Sequence, residues 1–86
     1  MPLYFSTHTT ACLTKQAIRG LMGNLLQSDV VTVRRCVASQ LAGRMLLEVE
    51  SPDQPTLEKW FESQRLNCQW VMRIDLDGDS TAVREL

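Results

Sequence analysis

The chain predicts an α+β fold of two layers, with helices packed on one face of an antiparallel sheet. Three observations carry this reading. Four segments alternate apolar and polar residues with period two, the spacing of a half-buried strand. Two others place apolar residues at helical spacing. The segments run strand, helix, strand, strand, helix, strand along 86 residues, a length that supports one core.

Leu3 to His8 opens the chain as a strand, with Leu3, Phe5 and Thr7 expected inward and Tyr4, Ser6 and His8 outward. Thr14 is placed to cap a helix over Lys15 to Ser28, where Ile18, Leu21, Met22, Leu25 and Leu26 form one stripe. Gly20 and Gly23 within it either face solvent or permit a close approach. Val30 to Ala38 and Arg44 to Glu50 read as a hairpin joined by a turn over Ser39 to Gly43. In its first strand Val31, Val33 and Val37 are expected inward; in its second, Met45, Leu47 and Val49. Asp53 with Pro52 and Pro55 opens a second helix, which buries Leu57, Trp60 and Phe61. Cys68 to Leu76 closes the set, with Trp70, Met72, Ile74 and Leu76 expected inward. This order is the ferredoxin-like βαββαβ two-layer sandwich, whose antiparallel sheet runs 4-1-3-2 with both helices on one side. The domain is expected over residues 1–78, with a frayed, charge-rich tail over 79–86.

Nine Lys and Arg stand against ten Asp and Glu, a net charge of −1, which argues against a dedicated nucleic-acid binder. The charge is divided, however. Residues 1–47 carry five basic side chains and one acidic, while residues 48–86 carry four basic and nine acidic, so pairing across strands is expected. No apolar run approaches the roughly 20 residues of a membrane span. The N-terminus lacks the basic segment of a secretory leader. Cys12, Cys36 and Cys68 cannot all pair and contain no C-x-x-C. Together these predict a cytoplasmic protein with reduced thiols and no membrane partner.

With helices on one side only, the other sheet face must meet water, a ligand or a second subunit. A homodimer through this face or an edge strand is expected, because so small a domain buries a modest share of its surface. Tyr4, His8, Arg34, Glu48 and Arg73 are the candidate ligand-binding residues on it. His8 is the only histidine. With Cys12 it forms a local H-x-x-x-C pair suited to nickel or zinc, and Cys36 and Cys68 are expected on the same rim. An isomerase-type acid–base site would use His8 with Glu48 or Asp75, with Arg34 or Arg73 holding an anionic substrate. No nucleophile, base and orienting group form a recognisable trio, so small-ligand or partner binding comes ahead of catalysis. Asp75-x-Asp77-Gly78-Asp79 resembles the start of a calcium loop, but the glycine is misplaced and Leu86 stands where the closing carboxylate should.

Tyr4-Phe5-Ser6-Thr7-His8 followed by a helix, then Val33-Arg34-Arg35, Gly43-Arg44-Met45 and Trp70-Val71-Met72-Arg73-Ile74-Asp75-Leu76, resembles a family of small bacterial ferredoxin-like proteins. Members are largely of unknown function and some are described as nickel-binding. The resemblance, over about residues 3 to 76, implies His8 as a metal ligand, although the further histidines of nickel-binding members are absent. The layout is also similar to muconolactone-isomerase-like and dimeric α+β barrel domains, which implies a cavity on the open sheet face.

Overall fold

The computed structural model describes residues 1–86. Its elements are β1 (Leu3–Thr9), α1 (Lys15–Leu25), β2 (Thr32–Ser39), β3 (Arg44–Glu50), α2 (Gln54–Ser63), β4 (Cys68–Ile74), β5 (Leu76–Gly78) and β6 (Val83–Glu85). The first four strands pair antiparallel in the order β2-β3-β1-β4. The fold is therefore α+β, with two helices and a four-stranded antiparallel sheet, as the sequence predicts.

Local chemistry sets the element ends. Thr14 holds extended backbone and its side chain accepts from the Ala17 amide, satisfying one of the free donors at the start of α1. Asp53 does the same for α2 by accepting from the Thr56 amide at 2.8 Å, and Pro55 fits the first turn because its missing N–H has no helical partner to lose. α1 ends at Leu25, before the expected Ser28. Gly20 and Gly23 face open space, so neither permits a close approach. Gly43, in the β2–β3 turn, is different. Its φ of 67° lies in the left-handed region, and its carbonyl accepts from the Thr10 amide at 2.8 Å, joining this turn to the end of β1. Gly43→Ala is expected to cost about 1 kcal/mol through backbone strain, read as a lower urea midpoint with unchanged slope.

The core lies between the helices and one sheet face. Met45, Leu47 and Val49 of β3 meet Leu57, Trp60 and Phe61 of α2, with Leu25, Val31, Val33 and Tyr4 completing the cluster. Ile18 and Leu25 are the buried residues of α1.

Strand facing departs from expectation in three strands. In β1, Tyr4 pairs with Val49, Ser6 with Leu47 and His8 with Met45, so these three face the helices and Phe5 and Thr7 face outward. In β4, Val71 lies opposite Ser6 on the helix side, which turns Trp70 and Met72 outward. The inward strip of β3 is unambiguous, and its register with β1 forces both reversals. In β2 the register shifts between Val33 and Arg35. A bulge of this kind inserts one residue and exchanges the faces beyond it. Val33 stays inward as expected, but Arg35 and Val37 turn outward, while Cys36 packs against the core.

The segment beyond β4 is not frayed. β5 and β6 form a second antiparallel pair, Leu76 with Glu85 and Gly78 with Val83. Asp79 fastens the turn by accepting from the Thr81 and Ala82 amides and the Thr81 hydroxyl, and by pairing with Arg84 at 3.1 Å. These bonds favour the ionised carboxylate and hold its pKa well below the ordinary value. Of the three ion pairs in the structure, Arg34–Glu50 at 3.7 Å joins the basic and acidic parts of the chain across neighbouring strands. The other two, Arg73–Asp75 and Arg84–Asp79, are local.

Candidate functional site on the open sheet face

The uncovered face is more apolar than the sequence reading expected. Phe5 and Thr7 from β1, Val37 from β2, Leu46 from β3, and Trp70 and Met72 from β4 stand on it. Val37, Leu46, Trp70 and Met72 remain 43%, 37%, 44% and 48% exposed. Thr7 is buried among these larger neighbours, and its hydroxyl has no hydrogen-bond partner. Phe5, Val37 and Leu46, with Arg35 and Glu48, border a depression of about 170 Å³. Arg35 and Glu48 are cross-strand neighbours, which places one positive and one negative group at its margin. The face thus has an apolar middle carrying a small polar pair.

The sequence-predicted site residues do not assemble there. Glu48 does lie on the open face, half-buried. Tyr4, expected beside it, is buried in the core. Arg34 sits in the bulge and pairs with Glu50. Arg73 is exposed at the β4 edge, pairs with Asp75 at 3.8 Å, and lies opposite Tyr4 on the helix side. Phe5, Val37, Trp70 and Met72, expected inward, stand on the open face instead, and Arg35 joins them there. For Phe5, Trp70 and Met72 the sequence signal is the apolar content on both sides of β1 and β4, whereas Arg35 and Val37 lie beyond the β2 bulge, which no residue pattern marks.

His8 is fully buried beneath α2. Its Nε2 lies 2.8 Å from Ser6 Oγ, and the Phe61 ring meets it edge-on with centroids 4.7 Å apart. Loss of hydration pushes its pKa down to about 4, partly offset by the Asn67 main chain. The ring is therefore neutral at pH 7, and its Nδ1 makes no well-formed hydrogen bond. The Ser6–His8 couple has the composition of a nucleophile and base, but it is sealed from any substrate. Glu48 lies on the opposite face, so the expected pairing of His8 with that carboxylate is not formed.

The expected nickel or zinc donors are not drawn into one group. Ser6 engages one nitrogen of His8, Cys12 stands exposed in the following turn, and no three His, Cys, Asp or Glu side chains cluster closely enough to hold a metal ion. Cys68 is the cross-strand partner of His8, yet its thiol points to the Trp70 carbonyl, and burial raises its pKa, as it does for Cys36. Asp75, Asp77 and Asp79 lie along the β5–β6 hairpin and its approach, with Asp79 occupied by the turn. No helix is long and apolar enough to cross a membrane. No protein-family model, curated protein or solved structure matches the chain.

Proposed function

We propose that this is a small cytoplasmic binding protein of ferredoxin-like fold that works as a homodimer, its open sheet faces meeting and enclosing a small amphipathic ligand. The observation that carries the reading is the outward strip of Phe5, Val37, Leu46, Trp70 and Met72. Monomers rarely leave contiguous apolar patches above a few hundred Å² in water, and larger ones mark interaction surfaces. Four strands spaced about 4.8 Å apart, with seven residues rising about 3.3 Å each, present a face of roughly 450 Å² in projection. Side chains standing on that face raise its accessible area toward the ~800 Å² per partner of an ordinary stable interface.

The depression supports a ligand between the two copies. At about 170 Å³ it is too small alone for most organic ligands. Two of them facing each other would reach the ~300 Å³ lower bound of ordinary ligand pockets. The apolar walls and the Arg35–Glu48 pair suit a molecule with an apolar body and one polar or charged group. Sedimentation velocity of the full chain across the micromolar range tests the pairing. A dimer that persists at low micromolar concentration is the expected result, and a monomer throughout would overturn the reading.

A further inference from the structure

We infer that the acidic β5–β6 hairpin of one copy docks into the basic groove between α1 and β2 of another. The hairpin is ordered but little covered, with only Leu86 lining a pocket beside Leu3 and Arg73 of the main sheet. All residues from Asp75 to Leu86 are exposed, among them Leu76 and Val83, which share one face of the ribbon. Two-stranded ribbons without a packing surface are marginal in water, so such a ribbon is stabilised by whatever receives it. The segment carries four carboxylate side chains, Asp75, Asp77, Asp79 and Glu85, against Arg84 alone.

The groove is its complement in charge. Its volume is about 440 Å³, its floor is Ile18, Met22 and Leu26, and Lys15 and Arg19 stand on its rim. Neither cation has an ion-pair partner within the chain. Gly23 leaves the wall open, since a side chain there would meet nothing. β2 forms one edge of the four-stranded sheet, so its unpaired main-chain groups lie beside the groove and can receive an added strand.

The occupant must come from a second copy. Ala38 and Gln40 place the groove at the sheet end where Thr9 and Arg44 pair, whereas β5 follows β4 at the end where Leu3 and Glu50 pair. The two ends are separated by about 20 Å of strand, and β2 and β4 are opposite edges. Exchanged reciprocally, the contact closes a two-fold pair. It adds to the sheet-face contact and does not depend on it.

Amide exchange of the full chain tests this directly. Between low and high micromolar concentration, amides of residues 76–86 are expected to slow at least about tenfold. Lys15→Glu with Arg19→Glu is expected to abolish that protection and leave the exchange of β1 and β3 unchanged. Zero-length carbodiimide cross-linking of a mixed heavy- and light-isotope sample should join Lys15 to Asp77, Asp79 or Glu85 between molecules. Hairpin exchange that is independent of concentration, protection that survives the double charge reversal, or cross-links found only within one molecule would each overturn the inference. A dimer with an unprotected hairpin would do so while leaving the sheet-face reading intact. Concentration-dependent protection that persists in a chain disrupted at the sheet face would support the inference as a contact separate from the sheet-face one.

Discussion

Lowering the pH from 7 to 4 is expected to remove about 3 kcal/mol of stability through His8 alone. The folded protein holds this imidazole at a pKa of about 4, against 6.5 when it is hydrated, because burial penalises the cation. Between those values the unfolded chain binds the proton and the folded chain does not, so protonation drains the folded state. The contribution is complete above pH 6.5, falls through the window from 6.5 to about 4, and changes no further below it. The carboxylates Asp53 and Asp79 act in a separate, lower range. Their folded pKa values are depressed, so their contributions are lost only as pH falls below the ordinary value of 3.8. Urea unfolding at successive pH values should therefore show a slope above pH 4 that His8→Phe flattens. At pH 7 the same variant is expected to be about 1–3 kcal/mol less stable, because Ser6 Oγ loses its partner in a buried site. A pH slope that persists unchanged in His8→Phe would assign it to another group.

Leu46→Lys is expected to weaken self-association by at least about a hundredfold while leaving the monomer folded. Leu46 stands on a central strand between Thr7 of β1 and Val37 of β2, in the middle of the outward strip. In a monomer Leu46 is 37% exposed at the sheet surface, so a lysine there can carry its ammonium group into water and should change stability by about 1 kcal/mol or less. Between two sheets it becomes a buried cation, doubled by symmetry, and several kcal/mol unfavourable. The difference between the two environments is what the experiment reads. Circular dichroism should report an intact fold, and dilution followed by Trp70 fluorescence should report the lost association. Trp60 is buried in the core and supplies a steady background.

Much of the architecture was legible because its signals are local. Thr14 and Asp53 announce helix starts through side chains that replace missing amide partners, and Gly43 announces a turn that needs positive φ. Strand facing was less legible because it depends on cross-strand register. Leu3, Phe5 and Thr7 are more apolar than Tyr4, Ser6 and His8, and a rule of apolar-inward chooses the wrong side of β1. Two things reverse it. β3 has one unmistakable inward strip, and pairing with it carries Ser6 and His8 under α2. Once there, they bond to each other, and Phe61 covers the ring, so the cost of burying two polar groups falls.

The β2 bulge hid Arg35 and Val37 by the same logic, since one inserted residue exchanges the faces beyond it. The hairpin at 76–85 was hidden because its order comes from the bonds to Asp79 rather than from hydrophobic pattern. Histidine chemistry moves off the open face into the core, and the open face becomes an apolar surface suited to contact. The candidate site changes from a polar cluster around His8 to the strip from Val37 to Met72.

Isotope-filtered NOE spectroscopy on a sample mixed from labelled and unlabelled chains tests that strip most directly. Contacts between molecules are expected to join the Leu46 and Val37 methyl groups to the Phe5 and Trp70 rings and the Met72 methyl group. Their absence in a sample that sediments as a dimer would contradict the sheet-face pairing and place the interface elsewhere on the molecule.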